Sequence, residues 1–100
     1  MKQYSIEILP SAEEDIRTYI RYIIQKSLPL TAIRHQEDLY KTISRLSNYA
    51  ESIRVSDKED VLRFGTSARA VLFKKMAIIY TVHNNRVVVR AMMPASLIKK

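Results

Sequence analysis

Eight basic side chains and no acidic one lie between Val61 and the C-terminus. They are Arg63, Arg69, Lys74, Lys75, Arg86, Arg90, Lys99 and Lys100. Guanidinium and ammonium groups can bind phosphates or carboxylates, and they can stabilise negative charge that develops in a reaction. A run of 40 residues without a carboxylate therefore favours a nucleic acid or an acidic protein as partner, although a plain solvated basic surface has the same composition.

Arg90 is the strongest candidate for contact with a partner. It lies within the run 87–91, whose other members are Val or Ala. A charged side chain in such a strand must face solvent or a partner. Arg63, Arg69 and Arg86 are the further candidates for binding a target or a nucleic acid.

Neither histidine forms an obvious catalytic pair with other residues of the sequence. His83 is expected near the end of a strand beside Arg86, where it is either a candidate general base or a plain polar residue. His35, in a polar stretch of the second predicted helix, is expected to be solvated or a packing neighbour.

Several classes of site are excluded or disfavoured by composition. The chain has no cysteine, two histidines and a single glycine. These counts exclude disulfides, thiolate catalysis and cysteine-bound zinc, and they disfavour a glycine-rich nucleotide loop. We expect no metal and no cofactor. No apolar run is long enough to span a membrane, and residues 1–15 lack the apolar core of a signal peptide, so we expect a cytoplasmic protein.

The length of 100 residues predicts a single domain over residues 1–100. Alternating apolar residues predict a strand over Gln3–Leu9. Ser11 is then expected to cap a helix that ends near Lys26, and Thr31 to cap a second helix after a short break. The second helix has an apolar stripe of Ala32, Leu39, Ile43 and Leu46. Residues 48–60 show no periodicity and predict an exposed loop.

The last third predicts three β-strands, over Arg69–Phe73, Met76–His83 and Val87–Met92. Asn84-Asn85 fits a two-residue hairpin turn, because Asn tolerates positive φ. That turn sets a register in which the pairs facing the helices are Val82–Val87, Tyr80–Val89 and Ile78–Ala91. The pairs on the opposite face are His83–Arg86, Thr81–Val88 and Ile79–Arg90. Val88, Ile79 and Leu72 are expected to be exposed there.

Lys74-Lys75 predicts the preceding turn, although lysines are not typical turn residues. A two-residue turn places Val71 opposite Ile78, Phe73 opposite Met76 and Arg69 opposite Tyr80, whereas a slip by one residue moves Arg69 to the other face. The order β-α-α-β-β-β predicts an α+β domain. In it a helical hairpin packs on one face of a small antiparallel sheet and leaves a mixed, basic face for a partner.

This layout resembles the RelE/ParE superfamily of toxins from bacterial type II toxin–antitoxin (plasmid stabilisation) systems, over nearly the whole chain. The opening pattern of that family is matched by Ile6, Ile8, Pro10, Ala12, Asp15, Ile16, Ile20 and Tyr22. Its second helix is matched by Ala32, Leu39, Ile43 and Leu46, and its central strand by Ile78, Ile79, Tyr80 and Val82. Val87-Val88-Val89 takes the place of its last strand.

The resemblance implies a toxin that inhibits growth when free and is neutralised by a cognate antitoxin of acidic character. Members that cut mRNA on the ribosome carry a basic residue where this chain has Ala77, and His, Arg or Tyr after the last strand, where residues 92–100 have none. The resemblance therefore favours ParE-like inhibition of DNA gyrase.

The alternatives are a RelE-like, ribosome-dependent mRNA endonuclease and a non-toxic basic module that binds nucleic acid or a partner. For the endonuclease, RNA cleavage by transesterification needs a base for the 2′-hydroxyl, stabilisation of the phosphorane and help for the leaving oxygen. Arg63, Arg69 and Arg90 are then the candidates for stabilising charge, and His83 is the candidate base.

Overall fold

The computed structural model describes residues 3–98, so Lys99 and Lys100 of the basic run lie outside the described part. Its strands are β1 (Ser5–Ile8), β2 (Arg69–Phe73), β3 (Met76–His83) and β4 (Arg86–Pro94), and its helices are α1 (Pro10–Lys26), α2 (Pro29–Tyr49) and α3 (Glu59–Leu62). One-turn 3₁₀ helices follow α2 at Ala50–Ser52 and β4 at Ala95–Leu97. The predicted α+β fold class is confirmed. No helix within the described range is long and apolar enough to cross a membrane.

The four strands form one sheet in the order β1-β4-β3-β2. The β2–β3 and β3–β4 pairs are antiparallel, as predicted. β1 instead pairs in parallel with β4, with Ser5 opposite Arg86 and Ile8 opposite Val89. The sheet is therefore mixed rather than wholly antiparallel. Hydrophobic alternation determines which side chains of a strand face the core, but not which edge the strand joins or in which direction.

Both long helices begin earlier than the sequence predicts. Each has a proline in its first turn, Pro10 in α1 and Pro29 in α2, and neither has a side-chain cap. Proline suits this position because its φ is already helical and it lacks the N–H that would be left unpaired. The predicted caps, Ser11 and Thr31, lie inside the helices, and the Ser11 hydroxyl donates a long hydrogen bond of 3.4 Å to the Arg90 carbonyl oxygen.

The main core lies between the two long helices and one face of the sheet. Leu39 of α2, Ile78 and Tyr80 of β3 and Val89 of β4 are completely buried there. The predicted apolar stripe of α2 is buried throughout, since Ala32, Leu39, Ile43 and Leu46 are each no more than 5% exposed. Burial of these side chains is the main force that fixes the helical hairpin on the sheet.

The register of the last hairpin agrees with the prediction only near its turn. The turn itself is at Asn84-Asn85, with Asn84 at φ 58°. The four predicted pairs closest to it, from His83–Arg86 to Tyr80–Val89, are confirmed. Beyond them Ile79 lies opposite Ala91, so the predicted pairs Ile79–Arg90 and Ile78–Ala91 are wrong. Arg90 is the extra residue of a β-bulge, an insertion that strict alternation does not reveal.

The Lys74-Lys75 turn has the two-residue form. Arg69 lies opposite Tyr80, Val71 opposite Ile78 and Phe73 opposite Met76. Lys74 adopts a φ of 53°, which the first position of such a turn requires. The register in which Arg69 stays opposite Tyr80 is therefore the observed one.

The sheet face opposite the two long helices, here called the far face, is less open than predicted. Val61 of α3 and Ala68 pack with Ile79 and Ala91 in a second apolar cluster. Ile79 and Val88 are buried, so the prediction that they are exposed is wrong, whereas Leu72 is 66% exposed. The predicted exposed loop over residues 48–60 also differs from the structure, because it contains the end of α2, a 3₁₀ turn and the start of α3. The last two elements are too short to show a hydrophobic period.

Candidate functional site

Three polar side chains converge on the far face: Thr81 and His83 of β3 and Arg90 of β4. We call them the Arg90 cluster. Arg90 Nε donates to the Thr81 hydroxyl at 2.9 Å, and Arg90 Nη2 lies 3.4 Å from His83 Nε2. Arg90 is the bulge residue and has no cross-strand partner in β3. It is partly buried beside Thr81, which is only 2% exposed. No ion pair joins Arg90 to a carboxylate within residues 3–98.

The hydrogen bonds within the cluster bear on what His83 can do. The Thr81 hydroxyl accepts from Arg90, so its own proton is directed towards His83 Nε2, 2.9 Å away. In this arrangement His83 accepts through Nε2 and its other ring nitrogen carries the proton. A general base needs a free lone pair within reach of its substrate. The cluster is therefore better arranged to bind an anion than to abstract a proton.

The other two arginines of the far face flank the cluster. Arg86 is the cross-strand neighbour of His83, and its guanidinium lies 3.5 Å from a carboxylate oxygen of Glu7 on β1. Arg63 follows α3 and lies over the ring of Phe64, 5.0 Å from the ring centroid. Both are exposed, so both remain available for contact with a partner.

Arg69 lies apart from this cluster. Its guanidinium donates to the carbonyl oxygens of Ile53 at 2.9 Å and Ala50 at 3.4 Å, which follow α2. The Tyr80 hydroxyl donates to the same Ala50 oxygen at 2.7 Å. Burial raises the pKa of Tyr80 to about 12, so this phenol keeps its proton and remains a donor. Arg69 thus holds the segment after α2 against the sheet.

A second concave surface runs between α1 and the ends of β3 and β4, and we call it the α1 groove. Its volume is about 960 Å³. Its lining is Asp15, Thr18, Tyr19, Tyr22, Ile23, His35, Lys74, Lys75, Met76, Met92, Pro94, Ala95 and Ser96. Aromatic and thioether side chains give it an apolar floor, whereas the two lysines of the β2–β3 turn add positive charge.

His35 lies at the edge of this groove. It is hydrogen-bonded to the Tyr19 hydroxyl and packs edge-on against Phe73, with ring centroids 5.4 Å apart. Partial burial and the charge of Lys74 lower the pKa of His35, although Asp38 acts in the opposite direction. The expectation of a packing neighbour fits this geometry.

Stability is expected to fall as the pH drops from about 7 towards 5. In the unfolded chain His35 takes up a proton near pH 6.5, whereas in the folded chain its lowered pKa delays protonation to a lower pH. Between these two pKa values the unfolded chain binds more protons, so lowering the pH there favours unfolding. Urea unfolding at several pH values measures the slope of the free energy of unfolding against pH. His35→Gln, which cannot titrate, should make it shallower; an unchanged slope would contradict the assignment.

The sequence analysis missed two residues that shape these sites. Thr81 joins Arg90 to His83, but a threonine within a strand gives no signal of such a role. Gly65 passes so close to β3 that a Cβ on it would lie 2.8 Å from the Thr81 methyl group. Its being the only glycine in the chain was the available signal. No group of three or more potential metal ligands occurs in the part of the chain described.

Comparison with known proteins gives one matching family and 11 structurally similar chains, including a ParDE chain and a RelBE2 chain. Residues 6–95 match the family described as ParE toxin of type II toxin-antitoxin system, parDE. A chain of the chromosomal ParDE system from P. aeruginosa is similar in structure, with a TM-score of 0.73, 12% identity, and coverage of 92% of this chain and 96% of that one. A chain of the toxin-antitoxin complex RelBE2 from Mycobacterium tuberculosis has a TM-score of 0.64, also with 12% identity, over 92% and 98%. At such identity these two likenesses bear on the fold alone. No curated protein matches the sequence significantly.

Proposed function

The chain belongs to the ParE toxin family of type II toxin–antitoxin systems, and from that membership we propose that it blocks growth by inhibiting DNA gyrase and is held inactive by a cognate antitoxin. The match to the ParE model over residues 6–95 carries the proposal. We place its action in the cytoplasm, where gyrase is found.

The antitoxin is proposed to bind the α1 groove. The groove is large enough for the apolar stripe of an amphipathic segment that folds on binding. Lys74 and Lys75 line one part of it, which suits carboxylates on that segment. An antitoxin of acidic composition also complements the net charge of +7.

Gyrase is proposed to be contacted through the far face, by Arg63, Arg86 and Arg90. Arg90 is proposed to contribute most to this contact. Its partly buried charge has neutral hydrogen-bond partners and no carboxylate within the described residues. A carboxylate or phosphate on the target would provide the missing counter-charge. Arg69 is left out of this contact because it is bonded to carbonyls of its own chain.

A non-nucleolytic action is favoured by three observations. Ala77 stands where ribosome-dependent nucleases carry a basic residue, and residues 92–98 contain no His, Arg or Tyr. The Nε2 atom of His83 is engaged by Thr81, so the candidate base of the far face has no free lone pair on that nitrogen.

The test is expression of the chain alone in a bacterium, with pulse-labelling of DNA and protein synthesis in the first minutes. An early fall in DNA synthesis with translation intact supports the proposal. An early fall in translation would favour the mRNA endonuclease with Arg63, Arg69, Arg90 and His83, and normal growth would favour a non-toxic binding module. Co-expression of a short acidic protein encoded beside the gene should restore growth.

Arg90→Ala is expected to raise the toxin concentration needed for half-inhibition of gyrase supercoiling by about tenfold or more, as for a hot-spot arginine. Antitoxin binding should be unchanged, because the α1 groove is not altered. Arg17→Ala is the matched control: this arginine is exposed on α1 and paired with Glu13 and Glu14. Equal inhibition by both variants would exclude Arg90 from the gyrase contact.

A further inference from the structure

The helical hairpin carries most of the large apolar side chains that are exposed in the described part of the chain. Ten large apolar side chains are exposed within residues 3–98, and seven of them lie between Tyr22 and Tyr49. These seven are Tyr22, Ile24, Leu28, Leu30, Ile33, Tyr40 and Tyr49. Single exposed apolar residues are normal on a protein surface, but their concentration on one helical hairpin indicates an interaction site.

On α2 part of this surface forms a second stripe, away from the buried one. Leu30, Ile33, Glu37, Tyr40 and Ser44 follow one another at spacings of three and four residues. Ile33 is 53% exposed and Tyr40 is 43% exposed. This spacing is that of a coiled-coil seam, in which a helix packs along a partner helix.

The stripe contains a shallow groove of about 530 Å³. Its lining is Ile33, Gln36, Glu37, Tyr40, Lys41 and Ser44. These six residues are symmetric about the midpoint between positions 38 and 39. An antiparallel second copy of α2, related by a two-fold axis at that midpoint, would therefore place each of them opposite another member of the groove.

The pairs produced by that two-fold axis are complementary in size and chemistry. Ile33 meets the small Ser44 of the other copy. The Glu37 carboxylate meets the Tyr40 hydroxyl, which can donate to it. Because a two-fold interface is isologous, each of these contacts occurs twice.

Charge distinguishes a second copy from other occupants. Residues 10–49 contain six Lys or Arg and five Asp or Glu, so nearly all of the net charge of +7 lies elsewhere in the chain. Two identical basic chains repel each other least where their charges balance. An acidic protein or a nucleic acid would instead be attracted to the basic second half of the sequence.

We propose that the outer face of α2 pairs antiparallel with the same face of a second copy, forming a homodimer through Ile33, Glu37, Tyr40 and Ser44. This surface is separate from the α1 groove and from the Arg90 cluster. The proposal therefore does not depend on the proposed target or antitoxin.

The absence of cysteine allows a direct test on the full chain, made by cell-free synthesis so that toxicity does not limit its yield. Glu37→Cys, near the proposed two-fold axis, should be cross-linked to a dimer by a short bismaleimide. Leu72→Cys is the matched control, since Leu72 is exposed but lies on β2. Equal cross-linking of both variants would overturn the proposal.

Light scattering after size-exclusion chromatography gives an independent measurement. As the protein concentration is raised, the wild-type chain should change from monomer to dimer before about 100 µM is reached, as expected for a micromolar dissociation constant. Ile33→Glu should raise that constant at least about tenfold, whereas Leu72→Glu should leave it unchanged. Far-UV circular dichroism checks that both variants are folded. A wild-type chain that stays monomeric, or a dimer weakened equally by both substitutions, would refute the α2 interface.

Discussion

Replacing Arg69 with methionine is expected to lower the free energy of unfolding by about 1.5–3 kcal/mol, the range for hydrogen bonds that involve a charged group. The Ile53 carbonyl loses the donor that Arg69 provides at 2.9 Å, and the Ala50 carbonyl loses its longer bond to Arg69 but keeps the one from the Tyr80 hydroxyl. The segment after α2 would then be held less firmly against the sheet. Urea unfolding at neutral pH measures the change.

Arg86→Met is the matched control for Arg69→Met. Arg86 is an exposed arginine of the same sheet, and within residues 3–98 its ion pair is with Glu7. Exposed pairs of this kind contribute about 0–1 kcal/mol. The free energy of unfolding of Arg69→Lys should lie between those of the two methionine variants, because one ammonium cannot reproduce the planar guanidinium fork. If Arg69→Met destabilises no more than Arg86→Met does, Arg69 does not anchor this segment.

A consequence for toxicity separates Arg69 from Arg90. Arg69→Met should reduce gyrase inhibition and antitoxin binding together, because both depend on the folded chain. Arg90→Ala should reduce gyrase inhibition alone. Measuring antitoxin affinity and supercoiling on the same preparations distinguishes the two roles.

Gly65→Ala is expected to destabilise the fold by about 1–3 kcal/mol, as overpacking does in a tight contact. The new Cβ would lie 2.8 Å from the Thr81 methyl group. Thr81 cannot rotate away without breaking its hydrogen bond to Arg90. The free energy of unfolding and the inhibition of gyrase should therefore fall together.

A double-mutant cycle with Thr81→Ser identifies the cause. Serine keeps the hydroxyl that bonds Arg90 but removes the methyl group that meets the new Cβ. Gly65→Ala should therefore have a much smaller effect in the Thr81→Ser background. An equal effect in both backgrounds would mean that contact with the Thr81 methyl group is not the cause of the destabilisation.

Local patterns in the sequence predicted most of the elements and their order. The 3.6-residue period and the alternation of apolar residues identified the two long helices, the strands and the buried stripe of α2, because these signals arise within one segment. The Asn84-Asn85 turn set the register of the nearest four pairs of the last hairpin, since a two-residue turn leaves no other pairing at its end.

The sites depended on contacts between segments that are distant in the chain. The sequence named Arg90 first and Arg63, Arg69 and Arg86 as further candidates, but it did not distinguish their environments. The fold gives them different environments, because Arg69 meets carbonyls that follow α2, whereas the bulge in β4 sets Arg90 beside Thr81 and His83. A bulge changes every pairing beyond it, and no local period records it.

The sequence by itself thus determined the α+β order, the basic second half and the resemblance to RelE/ParE toxins, since these follow from residue type and spacing. Only the tertiary structure decided that β1 joins β4 in parallel, that α3 closes part of the far face, and that Gly65 must be small. Each of these results from one segment packing against another, and such packing depends on shape in three dimensions rather than on neighbours in the chain.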